Sequence, residues 1–161
     1  FEKIVAANTG LPTGKAPLSE GFAVFREFLQ IKPDLHVAGQ VRNGTTKGID
    51  ENALAAYNAP FPDDDHKQGV RQFPNLVPGT PRTPSAEPNK EAWKILREWK
   101  KPFLCAFSDK DPIFSGVENS FYKLIPGCKD MPHVTIEDAG HFLQEDQPEA
   151  CVDAILSIKD I

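Results

Sequence analysis

The chain has 161 residues, of which 40% are hydrophobic and 15 are proline, so it can bury a core but needs long, irregular connections. Its 18 basic and 23 acidic residues give a net charge of −5 without a basic cluster, which disfavours binding to nucleic acid or to an anionic membrane. No apolar stretch of the sequence approaches the ~18 residues of a membrane-spanning helix.

The first part of the chain is predicted to contain one strand followed by helices. The strand covers residues 3–8 and ends at Asn8-Thr9-Gly10. Ser19 can cap a helix that runs to about Gln30, because apolar residues recur there at three- and four-residue spacing. These positions are Phe22, Phe25, Phe28 and Leu29. Two shorter helices are predicted, one from its cap Asp50 to Tyr57 and one from His66 to Phe73, where Pro74 would end it.

The rest of the chain alternates between helix and strand after a proline-rich segment. Proline recurs every three or four residues from Pro78 to Pro88, which is typical either of a linker or of an ordered crossing loop. The predicted elements that follow are a helix at 89–100, a strand at 102–107, a helix near 114–124, a strand at 133–137 and a helix near 148–159. This alternation predicts an α/β fold with a parallel sheet that needs further strands to shield it.

The cysteines and the first residue allow two weaker predictions. Cys105, Cys128 and Cys151 are odd in number and lack a C-x-x-C spacing, and Cys105 lies in an apolar run. A reduced, intracellular and therefore cytoplasmic protein is the simplest interpretation. Because the chain starts at Phe1 with a core strand already under way, we expect a fragment or a processed product.

Two acids and a histidine follow predicted strands in the order of a hydrolytic relay. Asp109 and Asp111 come directly after the strand at 102–107, and His141 lies in a glycine loop after the strand at 133–137. In a nucleophile–histidine–acid relay the acid orients the imidazole and stabilises its charged form. The spacing leaves open which aspartate is the acid. A nucleophile elbow of the form Gly-x-Ser-x-Gly does not occur, and Gly48-Ile49-Asp50-Glu51-Asn52 lacks the closing glycine.

Metal binding is not expected. The spacing of His133, Asp138 and His141 matches neither a helical histidine pair nor a zinc-finger pattern. The run Asp63-Asp64-Asp65 lacks the glycine and the terminal glutamate of a calcium loop, and it is typical of a solvated turn. The residues therefore predict neither a metal nor an organic cofactor.

Four segments resemble the haloalkane dehalogenases of the α/β-hydrolase fold. They are Ala56-Tyr57-Asn58-Ala59-Pro60-Phe61-Pro62-Asp63, Gly69-Val70-Arg71-Gln72-Phe73-Pro74, Phe107-Ser108-Asp109-Lys110-Asp111-Pro112 and Asp138-Ala139-Gly140-His141-Phe142-Leu143-Gln144-Glu145. The resemblance implies the C-terminal part of an α/β-hydrolase fold with a mostly parallel sheet. Residues 1–10 would be a core strand, 11–88 a helical cap and 89–161 the part of the core that carries the acid and the histidine. The N-terminal half with the nucleophile elbow would lie outside this chain.

The resemblance also assigns roles to individual residues. Asp111 would be the catalytic acid in preference to Asp109, because it directly precedes Pro112, and His141 would be the general base. A second branch of the family carries a glutamate at the position of Asn8. The cap residues that would line the substrate and halide pocket are Phe22, Phe25, Phe73 and Pro74. Phe25 occupies a position where a tryptophan usually donates to the halide, and packing within the cap is an equal alternative for the aromatics.

The implied reaction is hydrolytic dehalogenation of a haloalkane to an alcohol and halide, through an aspartyl alkyl-enzyme ester. Its partners would be the halogenated substrate, water, the halide product and the N-terminal segment that carries the nucleophile. An epoxide hydrolase is the nearest alternative, but Tyr57 and Tyr122 are the only tyrosines that could protonate an epoxide. A truncated, non-catalytic half-domain is the alternative that involves no enzyme activity.

Overall fold

The computed structural model describes residues 1–159, which form two compact units. The core unit contains Phe1–Leu11, Gly44–Lys47 and the chain from Glu91 onward. The helical unit contains Pro12–Asn43 and Gly48–Lys90. The short segment Gly44–Lys47 thus belongs to the core unit, although along the chain it lies between two stretches of the helical unit.

A three-stranded parallel sheet organises the core unit. Its strands are β1 (Ile4–Ala6), β2 (Phe103–Ser108) and β3 (Val134–Ile136), in the order β1-β2-β3. Ile4 is paired with Phe103, and Ala106 is paired with Val134. All six residues of the central strand are buried. The predicted α/β class and the parallel sheet are therefore confirmed. β1 and β3 are shorter than the sequence predicted, and β2 has the predicted length but begins one residue later.

Eight α-helices accompany the sheet. In chain order they are α1 (Glu20–Ile31), α2 (Val37–Asn43), α3 (Glu51–Asn58), α4 (Gln68–Leu76), α5 (Ala86–Leu96), α6 (Glu118–Leu124), α7 (Leu143–Asp146) and α8 (Pro148–Leu156), all counted within residues 1–159. Short 3₁₀ turns lie at Asp65–Lys67 and Pro126–Cys128. In the described part of the chain, none of the helices is long and apolar enough to cross a membrane.

The side chains of β2 alternate between two apolar clusters. Phe103, Cys105 and Phe107 contact one cluster, which also contains Phe121 and Ile125. Trp93 and Trp99 pack against this cluster. Leu104 and Ala106 point to the other cluster, which further contains Ile136, Ala139, Leu143, Ala154 and Ile158. Because apolar clusters cover both faces of the sheet at β2, the strand has consecutive apolar residues from Phe103 to Phe107 and does not alternate between apolar and polar residues.

The caps of two helices in the helical unit are those that the sequence predicted. Ser19 accepts a hydrogen bond from the Phe22 N–H at 3.3 Å at the start of α1. Asp50 accepts from the Asn52 and Ala53 N–H groups at 2.8 and 2.9 Å at the start of α3. Such caps satisfy backbone donors that have no partner within the helix.

The expected end of α4 was wrong. The helix passes through Pro74 and continues to Leu76. Proline costs a helix one backbone hydrogen bond, but Pro74 lies in the last turn and its ring is buried, so packing compensates for that loss. Helices α2 and α7 were not predicted, since at seven and four residues they are too short for a periodic pattern. Two other helix starts also differ from the prediction. α5 starts at Ala86, three residues before its predicted start, and α6 starts at Glu118, four residues after its own predicted start.

The proline-rich segment is an ordered loop of the helical unit rather than a linker. Pro78 is fully buried, and the Ser85 hydroxyl donates to the Leu76 carbonyl. Gly14 has a φ of +73°, and a Cβ at this position would lie 2.2 Å from the Thr80 carbonyl oxygen. Only glycine permits both this backbone conformation and this close approach.

Candidate active site

The structure brings His141 and Asp111 together at the ends of neighbouring strands. The His141 Nδ1 atom lies 3.1 Å from the Asp111 Oδ2 atom. The Asp111 side chain is fully buried, whereas the His141 side chain is 26% exposed. Asp111 also accepts a hydrogen bond from the Ile113 N–H at 2.8 Å, which fixes its carboxylate in the turn after β2. A buried carboxylate at Nδ1 leaves Nε2 as the nitrogen that can exchange a proton with a reactant.

Two aromatic rings flank the imidazole of His141. The Phe114 ring is stacked on it with centroids 5.7 Å apart, and the Phe142 ring meets it edge-on at 5.0 Å. These contacts restrict rotation of the imidazole about its side-chain torsions. An imidazole held in this way is typical of a preorganised general base.

Asp109, the competing acid, has a different partner. Its Oδ1 atom accepts the Ala139 N–H at 3.2 Å, and the residue is exposed. Its neighbour Lys110 pairs with Asp138 at 2.5 Å on the surface. The hydrogen bond between these two side chains raises the pKa of Lys110 and lowers the pKa of Asp138. Of the two aspartates that the sequence left open, Asp111 is therefore the one that contacts the imidazole.

The glycine loop that carries His141 accepts hydrogen bonds from Asn8 and Ser108. The Asn8 side chain donates to the Gly140 and His141 carbonyl groups, both at 3.0 Å. The Ser108 hydroxyl also donates to the Gly140 carbonyl at 2.8 Å. Both residues are buried at the ends of strands. The sequence pattern did not identify Asn8 as a site residue, although its position directly after a strand and before Gly10 was a usable signal.

The same loop is also held by Asp146, which is only 3% exposed. Asp146 accepts the Gly140 N–H at 2.8 Å and the N–H groups of Thr46 and Lys47 at 2.9–3.0 Å. Burial opposes the ionisation of Asp146, but these backbone donors together outweigh it and lower the pKa of the carboxyl group. Sequence reasoning missed this residue, because an aspartate before Gln147-Pro148 resembles an ordinary helix start.

The four predicted pocket residues all lie in the helical unit. Phe22 and Phe25 are half-buried on α1, with ring centroids 6.4 Å apart. On α4, Phe73 is 72% exposed whereas Pro74 is buried. The contact between Phe22 and Phe25 agrees with packing inside the helical unit, and the role of all four residues in a pocket stays a prediction.

His133 has a structural role beside β2, where it bonds to the backbone of Cys105. The His133 Nδ1 atom accepts the Cys105 N–H at 3.0 Å, and Nε2 donates to the Cys128 carbonyl at 2.9 Å. Burial lowers the pKa of His133. The neighbouring Cys128 side chain and burial raise the pKa of Cys105, in keeping with an apolar thiol. Within residues 1–159, no group of three or more histidine, cysteine or acidic residues is arranged to hold a metal ion.

The sequence is similar to curated haloalkane dehalogenases. It is 48% identical over 149 residues to the haloalkane dehalogenase of Psychrobacter cryohalolentis, covering 92% of this chain and 49% of that protein. It is 38% identical over 155 residues to the haloalkane dehalogenase of Mycolicibacterium paratuberculosis, covering 96% of this chain and 51% of that protein. The chain thus spans about half the length of these relatives. No family model matches the sequence.

The fold is also similar to that of solved haloalkane dehalogenases. The tetrameric haloalkane dehalogenase DpaA from Paraglaciecola agarilytica NO2 matches 100% of this chain and 54% of its own, with a TM-score of 0.87 and 29% identity. Haloalkane dehalogenase DbeA from Bradyrhizobium elkani USDA94 matches 87% of this chain with a TM-score of 0.68. At 22% identity the second likeness concerns the fold alone. The chain therefore has the architecture of part of an α/β-hydrolase fold.

Proposed function

The chain is homologous to the haloalkane dehalogenases, and we propose that it supplies the acid, the general base and the cap of an enzyme that hydrolyses carbon–halogen bonds. The observation that carries the proposal is the contact between His141 and the buried Asp111 carboxylate, on a chain with this homology. Residues 1–159 lack a nucleophile elbow. The nucleophilic aspartate would come from an additional N-terminal segment, in the same polypeptide or as a companion chain, since the relatives are about twice as long as their match to this chain.

The reaction would proceed in two displacements. The aspartate carboxylate attacks the halogen-bearing carbon, so that a C–O bond forms, the carbon–halogen bond breaks and halide leaves. His141 then removes a proton from water through Nε2, and the resulting hydroxide attacks the ester carbonyl. Asp111 stabilises the imidazolium that forms. The ester breaks as the proton passes from His141 to the departing alcohol oxygen, and the regenerated carboxyl group ionises.

The helical unit is proposed to be the cap over the substrate. The helical unit, Pro12–Asn43 and Gly48–Lys90, supports most of the predicted cap range of 11–88, whereas Gly44–Lys47 within that range lies in the core unit. Within it, Phe22, Phe25, Phe73 and Pro74 would line the pocket for the haloalkane and its halide. The positive ring edge of Phe25 would face the halide without an N–H donor.

Three free cysteines support a reducing, cytoplasmic location.

The epoxide hydrolase alternative is weaker. It needs a tyrosine that protonates the opening epoxide, and Tyr122 lies in the core unit against the His133 ring, with centroids 4.4 Å apart. Burial raises the pKa of Tyr122 to about 12, which makes it a poor acid near neutral pH. Tyr57 in the helical unit is the remaining candidate for that chemistry.

Halide release by the full-length protein that carries this chain tests the proposal. Asp111→Asn is expected to lower kcat by about 10⁴-fold, because an asparagine holds the imidazole in the wrong tautomer. Asp109→Asn is the matched control, and its loss is expected to stay below about 10-fold, since its carboxylate bonds to the loop backbone. A larger loss for Asp109→Asn would refute the assigned acid. Turnover of an epoxide without halide release from any haloalkane would refute the function.

A further inference from the structure

We propose that Asn8 is a positioning residue for His141, an inference that rests on the proposed function. Asn8 follows β1 by two residues, is 6% exposed and has a φ of +36°. This left-handed conformation is uncommon for residues other than glycine, although asparagine adopts it more readily than most. In this conformation the Asn8 side chain contacts Ser108 at the end of β2 and the glycine loop that carries His141. A buried, strained residue at the carboxyl end of a strand is a feature of functional sites.

The hydrogen bonds of Asn8 require an amide. Its Oδ1 atom accepts the Ser108 N–H at 2.9 Å, and its Nδ2 atom lies 2.7 Å from the Ser108 hydroxyl. Nδ2 also donates to the Gly140 and His141 carbonyl groups at 3.0 Å. The side chain must therefore accept from one N–H group and donate to two carbonyl groups. An aspartate could accept but would place its negative charge against the two carbonyl oxygens.

These bonds connect three strand ends through one side chain. Asn8 follows β1, Ser108 ends β2, and the carbonyl groups belong to the loop after β3. Because Asn8 holds the backbone of His141 itself, it sets the distance between the imidazole and Asp111. Asp111 is anchored independently by the Ile113 N–H. Loss of Asn8 would thus move the base relative to a fixed acid, and a displacement of about 1 Å can cost about 100-fold in rate.

Loss of the Asn8 side chain should slow only the hydrolysis of the alkyl-enzyme ester, because the proposed step that releases halide does not use His141. Asn8→Gly in the full-length protein keeps the positive φ accessible and removes every side-chain bond. We expect kcat to fall about 10- to 100-fold with KM for the haloalkane unchanged or lower. Mass spectrometry of the acid-quenched protein should show the alkyl-enzyme ester accumulating, whereas the unsubstituted protein should not hold it. A loss of folded protein would lower activity without trapping the ester.

Asn89→Ala is the matched control. It removes a half-buried amide that donates to the Pro12 carbonyl at 2.7 Å in the helical unit, and it leaves every bond to the glycine loop that carries His141 in place. It should therefore lower stability without accumulation of the ester. If Asn8→Gly does not fold, Asn8→Asp keeps the bond from the Ser108 N–H and should also trap the ester. Equal trapping by Asn89→Ala, or slow turnover by both Asn8 variants without trapped ester, would overturn the positioning role. Absence of halide release from the unsubstituted protein would instead overturn the proposed function.

Discussion

Asp146→Asn should destabilise the core unit because it removes a buried charge that backbone donors satisfy. Its Oδ1 atom accepts from the N–H groups of Thr46 and Lys47, both at 3.0 Å, and Oδ2 accepts from those of Thr46 and Gly140 at 2.9 and 2.8 Å. The Lys47 ammonium group donates to the Asp146 carbonyl at 2.8 Å. The Asp146 carboxylate thus links the segment Gly44–Lys47 to the glycine loop that carries His141.

The size of the loss follows from this arrangement. Asparagine retains one acceptor oxygen, and its NH₂ group would face N–H groups that need an acceptor. At least one buried N–H group is then unsatisfied, which costs about 1–3 kcal/mol, and the remaining bonds lose the strength given by the charge. We expect the free energy of unfolding to fall by about 2–4 kcal/mol at pH 7.

The loss should depend on pH. The pKa of Asp146 is lowered from its usual value of 3.8. The unfolded state therefore binds the proton more readily, and the carboxylate stabilises the fold fully above that value. This stabilisation is lost as the pH falls from about 4 through the lower pKa of the folded state, so part of the acid sensitivity should be missing in Asp146→Asn.

Urea unfolding of the full-length protein at pH 7 and at acid pH measures both effects, provided that the m-value is unchanged. Asp109→Asn is the matched control, since it makes the same chemical change at an exposed aspartate that holds one N–H of the same loop. Its expected cost is below about 1 kcal/mol. Equal losses for the two variants, or a loss for Asp146→Asn that does not shrink in acid, would refute the reasoning.

Three further substitutions, one of them a control, test the packing at Gly140 and the titration of His133. Gly140→Ala would place a Cβ 2.4 Å from the Gly44 carbonyl oxygen, so we expect a loss of about 1–3 kcal/mol in urea unfolding. Gly69→Ala in α4 would make only an ordinary contact with the Phe73 ring at 4.0 Å, so it should be neutral or stabilise by up to about 1 kcal/mol. A similar loss at both sites would contradict the steric argument. Burial lowers the pKa of His133 from 6.5, so its contribution to stability is full above about pH 6.5 and declines as the pH falls toward the folded-state pKa. His133→Gln offers an acceptor and a donor without titrating, and its unfolding midpoint should lack this decline between pH 7 and pH 5.

Prediction from the sequence succeeded where interactions are local. The caps Ser19 and Asp50 bond to N–H groups two or three residues away, so composition and spacing identify them. It failed at Pro74, where burial of the proline ring outweighs the lost backbone bond. The proline-rich segment shows the same limit, since a linker and a packed loop have the same composition.

The choice between Asp109 and Asp111 illustrates the limit within the candidate site. Both residues follow the same strand, and no local rule distinguishes their side chains. The turn after β2 directs Asp109 to the Ala139 N–H and buries Asp111 against His141. The resemblance to a family favoured Asp111 on the basis of Pro112, and the contact with the imidazole supports that choice.

The amino-acid sequence by itself determined the alternation of helix and strand, the local caps and the candidate relay of an acid and a histidine. These features depend on side-chain period and on hydrogen bonds between near neighbours in the chain. Only the tertiary structure revealed Asn8 and Asp146, each of which has partners about 100 residues or more away along the chain. Parallel strands bring their carboxyl ends to one edge of the sheet, so polar residues from distant segments meet there. The position of His141 is therefore decided by contacts that no local pattern in the sequence records.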